Sequence, residues 1–320
     1  MELAITILLF SIGVVLVVKG GDVFVDAASW IAEISGIPKL IIGATIVSVA
    51  TTMPEMLVSV MAAMQGKVDM SIGNAVGSVT ANIGLIMALA LIYMPGIIRR
   101  GDYLAKSVLM LIAALIVAAC GFQGAVSPKA SLFLLIIFAV FLCENVAGVK
   151  KTRSGQQTEN EKREQPERKT ILLNIVKFVG GAAAIVVGAR LLVDNGSILA
   201  RLAGVSERII GVTLVAVGTS LPELITTISA IAKKQSSLSV GNILGANIID
   251  LTLILPLSSL ISGQALPIAP ISARIDLPAC LLVGLIAVVP AMIRSRFSRR
   301  QGFVLLAVYG GYVILTCMAV

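Results

Sequence analysis

Ten apolar segments dominate this 320-residue sequence and restrict what it can fold into. A helix needs about 20 apolar residues to cross the roughly 30 Å hydrocarbon layer of a lipid bilayer. Hydrophobic residues make up 58% of the chain and charged residues 13%, so a soluble fold would leave much of its surface apolar. We therefore predict an all-α membrane protein with ten transmembrane helices. The predicted spans cover residues 3–31, 38–64, 70–93, 104–122, 128–148, 170–199, 209–232, 238–261, 273–293 and 301–319.

The composition also argues against several kinds of chemistry. The chain has no histidine, which removes the usual general base and the commonest transition-metal ligand. Its four cysteines lie in apolar runs without C-x-x-C spacing, so neither a disulfide framework nor a zinc site is expected. The net charge of +8 comes from basic residues between the apolar segments, which does not indicate nucleic acid. No cofactor is expected, and no protein partner is indicated.

One charged stretch, KKTRSGQQTENEKREQPERK, divides the chain into two halves. Its composition predicts a flexible linker at residues 150–169, between a first repeat at 1–149 and a second repeat at 170–320. Lys and Arg concentrate in this linker and in alternate loops. By the positive-inside rule, both termini are predicted to lie outside the cell membrane and the linker in the cytoplasm.

The two halves contain an internal repeat. An offset of 168 residues aligns residues 26–82 with residues 194–250 without a gap. Polar residues and glycines dominate the shared positions, which include Gly43 with Gly211, Thr51 with Thr219, Pro54 with Pro222, Glu55 with Glu223, Asn74 with Asn242 and Gly77 with Gly245. Because five spans is an odd number, the second half is predicted to enter the membrane in the opposite orientation. Secondary transporters built from two such inverted-topology repeats bind their substrates near the bilayer midplane.

Each repeat carries polar residues at a spacing of four within its apolar helices. The pairs are Thr51 with Glu55, Ser78 with Asn82 and Thr219 with Glu223, and Asp250 has the same spacing from Ala246, where the polar partner is missing. Residues four apart share one face of a helix, so each pair is expected to point in one direction. Pro54 and Pro222 cannot donate a backbone hydrogen bond, so the carbonyls of the preceding turns, at residues 48–50 and 216–218, are expected to be partly released. In a membrane such carbonyls need a partner, and a cation can be that partner.

Three acids, Glu55, Glu223 and Asp250, are expected in this polar cluster. A charged carboxylate at the centre of a membrane helix costs about 2.5–3.5 kcal/mol on insertion scales. Three of them close together would repel one another and take up protons unless cations were bound. Oxygen ligands from carboxylate, hydroxyl, amide and carbonyl groups suit hard cations such as Ca²⁺ and Na⁺. The sequence therefore predicts a cation site.

Other polar residues in the spans leave alternatives open. Asn74 and Asn242 follow glycine and either fill space between helices or support the ligands. Asp22, Asp26, Arg190 and Asp194 lie on the first and sixth spans and are interpreted as interfacial or pairing charges. Glu144, near the inner end of the fifth span, is interpreted in the same way or as a snorkelling residue.

The segments GATIVSVATTMPE with SIGNAVGSVTANIG, and GVTLVAVGTSLPE with SVGNILGANIID, closely resemble the two α-repeats of the sodium/calcium exchangers, within the calcium/cation antiporter superfamily. The resemblance covers the whole chain in plan. The short linker is similar to that of prokaryotic members, which lack the large calcium-sensing domain of animal exchangers.

This resemblance implies a set of ion ligands. A central calcium site would use the carboxylates of Glu55 and Glu223 with the backbone oxygens of Thr51 and Thr219. One flanking sodium site would use the Ser48 carbonyl, the Thr52 hydroxyl and Ser78, and the other would use the Ala216 carbonyl, Thr219 and Ser220. Asn82 and Asp250 would complete the middle of the cluster. The sequence departs from the family pattern at Ala50, Thr52 and Ala246, where a glycine, a serine and a sodium-ligating serine are usual.

The resemblance and the polar cluster together predict an antiporter that extrudes Ca²⁺ in exchange for Na⁺ by alternating access. The first and sixth spans would move against a core formed by the other eight, and the two ions would compete for Glu55 and Glu223. The alternatives within the superfamily are potassium-dependent or proton-coupled exchange. A passive cation channel and an intramembrane hydrolase are the rivals from other classes.

Overall fold

The computed structural model describes residues 2–66, 68–96, 100–155, 167–204 and 216–319. Within these ranges the chain is almost entirely helical, apart from one short antiparallel pair of strands, β1 (Ala125–Val126) and β2 (Leu266–Pro267). Among the described residues, eight helices are long and apolar enough to cross a membrane, and one bent pair would make a ninth span. The chain is therefore a mostly helical, multi-pass membrane protein.

The helices are short where the polar motifs lie and long elsewhere. In chain order they are α1 (Glu2–Ser35), α2 (Lys39–Ile42), α3 (Ser48–Thr51), α4 (Met53–Met64), α5 (Val68–Ala81), α6 (Ala88–Tyr93), α7 (Arg100–Gln123), α8 (Pro128–Gly155), α9 (Arg168–Leu202), α10 (Ala216–Thr219), α11 (Leu221–Ala232), α12 (Ser236–Ile249), α13 (Leu255–Ser262), α14 (Leu277–Arg294) and α15 (Arg299–Ala319). Within the described ranges, π-helical turns at Gly43–Val47, Asn82–Met87, Asp250–Ile254 and Ser272–Asp276 continue or precede these helices.

The observed spans agree with nine of the ten predicted segments in position. The exception is the seventh, predicted at residues 209–232, because residues 205–215 lie outside the described ranges. From residue 216 onward it comprises the single turn α10 and the 12-residue helix α11. The count of ten spans therefore stays a prediction. The predicted linker also lies partly outside the described residues, although α8 extends into it as far as Gly155.

The long helices α1 and α9 pack against each other through glycines. A Cβ atom added to Gly13 would lie 3.0 Å from the carbonyl oxygen of Gly188, and one added to Gly20 would lie 3.0 Å from that of Gly181. Only residues without side chains allow helix backbones to approach this closely. The contact is reciprocal under the 168-residue offset, because Gly13 corresponds to Gly181 and Gly20 corresponds to Gly188.

The buried apolar residues form two separate clusters. The larger is built from α5, α7, α12 and α14 and the segments that adjoin them, and it includes Val79, Ile243 and Leu244. The smaller joins α1 and α9 to the start of the second span through Phe24, Ile185 and Ile42. The α1–α9 pair thus lies beside the main core and outside its apolar centre.

Candidate cation site

Two helices break at equivalent positions of the repeat. Between α3 and α4 the break is at Thr52, with φ −82° and ψ 0°, and the axis bends there by 47°. Between α10 and α11 it is at Ser220, with φ −87° and ψ 9°. In each case proline is the second residue of the following helix, where its missing N–H is tolerated and its ring prevents a continuous α-helix.

The breaks place two glutamates in the first turns of the new helices. Glu55 lies in the first turn of α4 and Glu223 in the first turn of α11. The partial positive charge at a helix N-terminus stabilises a carboxylate there. The proline that ends one helix therefore also favours the charge that follows it, which explains why the Pro-Glu pair occurs as a unit.

The third and eighth predicted spans change helix type at their polar residues. The π-helical turns Asn82–Met87 and Asp250–Ile254 each begin at the predicted ligand. A π-helical turn inserts one residue into an α-helix and rotates the side chains on either side of it, and such turns are frequent at functional sites. The offset of 168 residues relates Asn82 to Asp250, so both halves carry this irregularity at the same position.

The predicted ligands are buried and many of their oxygens have no partner. Glu55, Glu223 and Asp250 are 0% exposed. Within the described ranges, no hydrogen bond reaches the two carboxylate oxygens of Glu55 and of Asp250, Oε2 of Glu223, Oδ1 of Asn82, or the hydroxyls of Ser78 and Ser220. An unsatisfied buried polar group destabilises a protein by about 1–3 kcal/mol, and more if it is charged. A cation bound between the two halves would give these unpaired oxygens a partner and so stabilise the arrangement.

The three acids lie close enough for their charges to interact. The Glu55 carboxyl group interacts electrostatically with both Glu223 and Asp250, and the Asp250 carboxyl group interacts in the same way with Glu223. Among the described residues, however, no three acidic, histidine or cysteine side chains converge tightly enough to hold one metal ion together. This geometry therefore does not place all three acids around a single ion. An ion bound by one or two of the acids would take its other ligands from the hydroxyl, amide and carbonyl oxygens nearby.

Hydroxyl groups connect the two halves across the site. The Thr52 hydroxyl donates to Oε1 of Glu223 at 3.1 Å, and the Thr51 hydroxyl donates to Oδ1 of Asn242 at 3.1 Å. Ser220 lies near the Glu55 carboxyl without forming a hydrogen bond of acceptable geometry. The predicted ligands of the first repeat thus face those of the second, as a shared site requires.

The release of carbonyls by proline is narrower than the sequence suggested. The Ser48 carbonyl accepts the Thr52 N–H at 2.9 Å, so its helical hydrogen bond is intact. The Thr51 hydroxyl lies 3.3 Å from the same oxygen, but its single proton is closer to Oδ1 of Asn242, at 3.1 Å. The second lone pair of the Ser48 carbonyl is therefore available to a cation. Proline 54 removes only the bond to the carbonyl four residues earlier, at Ala50. Of the other predicted ligands, Ala216 and Thr219 form the single turn α10.

Asn74 and Asn242 support the glutamate-bearing helices. Nδ2 of Asn74 donates to the Glu55 carbonyl at 3.1 Å and to the Ser59 hydroxyl at 2.9 Å. Nδ2 of Asn242 donates to the Thr226 hydroxyl at 3.0 Å, which in turn donates to the Glu223 carbonyl at 3.0 Å. Of the two interpretations that the sequence left open, these contacts favour support of the ligands.

A further buried amide contacts the site and was not singled out from the sequence. Oδ1 of Asn247 accepts a hydrogen bond from Nδ2 of Asn82 at 3.1 Å. Asn247 is 0% exposed. Its repeat counterpart is Val79, so a comparison of the two halves does not highlight it. The preceding residue, Ala246, is also fully buried.

Charges outside the site form pairs between helices. Lys233, at the end of α11, lies 2.7 Å from Asp26 and 3.9 Å from Asp22 on α1. The buried Lys106 of α7 contacts Glu144 of α8 at 2.5 Å. The interpretation of Asp22 and Asp26 as pairing charges is confirmed, and Glu144 pairs as well. Arg190 and Asp194 are exposed on α9.

Comparisons by sequence and by structure both find similarity to sodium/calcium exchangers. The family model described as sodium/calcium exchanger protein matches residues 5–146 and 173–318. The inner membrane protein YrbG of Escherichia coli (strain K12) is 33% identical over 97% of this chain and 95% of its own length. The sodium/calcium exchanger MaX1 of Methanosarcina acetivorans is 31% identical over 98% of this chain and 99% of its own. A structure of the sodium-calcium exchanger NCX_Mj, soaked with Na⁺ and Sr²⁺, superposes with a TM-score of 0.80 at 29% identity, over 96% of this chain and 97% of that chain.

Proposed function

Because the chain belongs to the sodium/calcium exchanger protein family, we propose that it exchanges Na⁺ for Ca²⁺ across the membrane by alternating access and normally extrudes Ca²⁺. Members of this family are transporters and not enzymes. The ions are substrates, held in turn by the polar cluster between the two broken helices.

The unpaired buried oxygens are the observation that carries this proposal. Carboxylate, amide and hydroxyl oxygens on both halves lack partners in the described part of the chain, and all of them are hard ligands. Calcium binds six to eight oxygens in flexible geometry, which a cluster of mixed oxygen types can supply. The same oxygens suit Na⁺, which likewise prefers oxygen ligands.

Competition for shared carboxylates would couple the two ions. Glu55 and Glu223 are the acids that both ions would use, and their charges are fully removed from water. A site that held calcium and its full set of sodium ions together would carry excess positive charge in a medium of low dielectric constant, where repulsion is strong. Release of one substrate would therefore favour binding of the other, which is the requirement for exchange.

The proposed architecture has ten spans in two inverted-topology repeats, with both termini outside and the linker in the cytoplasm. The reciprocal glycine contacts between α1 and α9 and the matching breaks at Thr52 and Ser220 support it. Among the described residues, α1 and α9 contribute none to the larger apolar cluster, which supports movement of this pair against the remaining helices. Such movement would expose the site alternately to each side of the membrane.

A flux assay tests the proposed function directly. The purified protein is reconstituted into liposomes that are loaded with Na⁺, K⁺, choline or acid and then diluted into Na⁺-free buffer with radioactive Ca²⁺. We expect calcium uptake only in Na⁺-loaded vesicles, with loss of uptake when an ionophore collapses the sodium gradient. Protein-free liposomes and the Glu55→Gln variant are the controls.

The same assay separates the alternatives. Uptake that needs K⁺ together with Na⁺ would establish potassium-dependent exchange, and uptake driven by internal acid would establish proton coupling. Calcium flux that does not saturate and persists without any countergradient would identify a channel. Each of these three results would overturn the proposed sodium-for-calcium exchange.

A further inference from the structure

The orientation of the Asn82 side-chain amide decides whether this residue can ligate a cation. Asn82 ends in an oxygen and an NH₂ group, and only the oxygen can ligate a cation. We infer that Asn247 is a positioning residue that holds the Asn82 amide with its oxygen toward the ions. This inference rests on the proposed exchange and assigns a role to a residue that lies outside the predicted ligand set.

The contact between the two amides has a direction. Nδ2 of Asn82 donates to Oδ1 of Asn247 at 3.1 Å, which leaves Oδ1 of Asn82 buried and unpaired within the described ranges. In the opposite orientation the Asn82 NH₂ group would face the site. There it would donate to a carboxylate and repel a cation.

A third residue fixes the direction of Asn247. Its Nδ2 atom donates to the sulfur of Met110 on α7, at 3.6 Å. A thioether sulfur can accept a hydrogen bond but cannot donate one, so it favours the NH₂ end of Asn247 over the oxygen end. Met110 and Asn247 are 1% and 0% exposed, so water does not compete for these contacts. The acceptor on α7 therefore determines the direction of both amides.

The second repeat does not need such a device. The counterpart of Asn82 is Asp250, whose two terminal atoms are both oxygens and can ligate in either orientation. The counterpart of Asn247 is Val79, which has no polar group. Of the two repeats, only the one whose ligand is an amide, with one oxygen end and one NH₂ end, has a second amide in contact with that ligand: Asn247 contacts Asn82. A general packing role for Asn247 would not explain this match.

The test removes the acceptor and measures cation binding. In the Asn247→Leu variant the Asn82 amide can turn its NH₂ group toward the carboxylates. A cation must then break a charge-assisted hydrogen bond, so we expect its binding to weaken about 10-fold. Affinities for Na⁺ and Ca²⁺ are measured in detergent from the rise in melting temperature with cation concentration, since a ligand that binds only the folded state stabilises it. The melting temperature without cations shows whether each variant folds.

Two further variants distinguish positioning from packing. In the Asn82→Asp background no NH₂ group remains, so the added Asn247→Leu change should alter cation affinity by less than about twofold, a non-additive result that indicates direct coupling. Asn247→Asp keeps an accepting oxygen at the same place and adds a negative charge, so it should lose no affinity for either ion. An equal loss in the Asn82 and Asn82→Asp backgrounds, or native affinity in Asn247→Leu, would overturn the inference.

Failure of the inference can be told apart from failure of the proposed function. If the native protein binds cations but shows no sodium-driven calcium uptake, exchange is refuted and the binding data still judge Asn247. If the native protein exchanges normally and Asn247→Leu does so with unchanged ion dependence, only the positioning role is refuted.

Discussion

The two repeats share a scaffold but differ in the groups that would touch the ions. In the first repeat the middle of the site is the neutral Asn82, with the Ser78 hydroxyl one turn earlier. In the second repeat the same positions hold the acid Asp250 and the apolar Ala246. The helix breaks and the π-helical turns are common to both halves, so the difference lies in chemistry more than in backbone geometry. Under the proposed function, the shared scaffold would set where the ions bind, and the residues that differ would set which ions bind and how tightly.

The amides that support the two glutamates also differ between the repeats. Asn74 contacts the Glu55 carbonyl directly, whereas Asn242 reaches the Glu223 carbonyl through the Thr226 hydroxyl. Asn242 also accepts a hydrogen bond from Thr51 of the other half. The second repeat therefore holds part of the first in place, and the described contacts show no equivalent bond from Asn74 to Thr219.

The largest expected effect tests what the repeats share. Glu55→Gln or Glu223→Gln removes one charge from the site while keeping the size of the side chain. Because both acids are proposed to bind both ions, we expect each change alone to reduce sodium-driven calcium uptake by more than about 100-fold, which corresponds to a loss of about 3 kcal/mol in transition-state stabilisation. Normal uptake by either variant would refute the central assignment.

Much of this shared scaffold could be predicted from sequence because its causes are local. Proline cannot donate a backbone hydrogen bond in any context, so the helix breaks before Glu55 and Glu223 could be predicted from Pro54 and Pro222 alone. The offset between the halves then placed both breaks in one site. The apolar runs likewise gave the spans, since their lengths are set by the thickness of the bilayer.

The remaining features depend on contacts that a single sequence does not reveal. Nothing in the residues around Asn82 and Asp250 distinguishes a π-helical turn from an α-helical one, because the choice depends on packing. Asn247 has no polar counterpart in the first repeat, so the comparison that identified the other ligands passed over it. Whether the Thr51 hydroxyl donates to Asn242 of the other half or to the Ser48 carbonyl depends on its rotamer, which tertiary contacts determine.

The second prediction makes the two halves alike at the middle of the site. Asp250→Asn replaces a charged ligand with a neutral one and reduces the number of acids in the cluster from three to two. Hydrogen bonds and ion contacts of charged groups are roughly twice as strong as those of neutral groups. We expect apparent Na⁺ affinity to fall about 10-fold, equivalent to about 1.4 kcal/mol, measured as the sodium dependence of calcium flux.

The reciprocal change serves as the matched control. Asn82→Asp adds an acid at the equivalent position of the first repeat and should strengthen cation binding. If both substitutions shift Na⁺ affinity in the same direction, the charge difference between the repeats does not control ion binding.

The third prediction restores a ligand that the second repeat lacks. Ala246→Ser adds a hydroxyl at the position equivalent to Ser78, whose own hydroxyl is buried without a partner in the described structure. One additional neutral oxygen should raise apparent Na⁺ affinity about three- to fivefold, or about 0.7–1 kcal/mol. Calcium affinity should change less, since the glutamates dominate that site. Ser78→Ala is the reverse experiment, and an unchanged sodium dependence in both variants would show that neither position is a ligand.

The smallest expected effect concerns the link between α1 and the core. Lys233, the residue that follows α11, donates to the Asp22 carbonyl of α1 at 2.6 Å and pairs with the Asp26 carboxylate. The repeat counterparts of Lys233 and Asp26 are Gln65 and Asp194, and the described residues include no cation paired with Asp194. Among the described residues, the contact between α1 and the core is thus held by an ion pair that the contact between α9 and the core lacks. If α1 and α9 move against the core, this pair must break in each cycle and favours the conformation described here.

Lys233→Gln makes the two junctions chemically alike, and its expected effect is small because partly exposed ion pairs contribute only about 0–1 kcal/mol. Calcium uptake into sodium-loaded liposomes should change its maximal rate by about two- to threefold, an effect that high ionic strength reproduces in the native protein by screening the pair. The Na⁺ and Ca²⁺ affinities measured in detergent should stay constant, because Lys233 pairs with α1 and contacts none of the predicted ligands. Lys234→Gln, one residue away, is the matched control and should behave as native. A change in ion affinity at constant maximal rate would contradict this prediction. It would show that the charge of Lys233 acts on the ion site itself and not on the contact between α1 and the core.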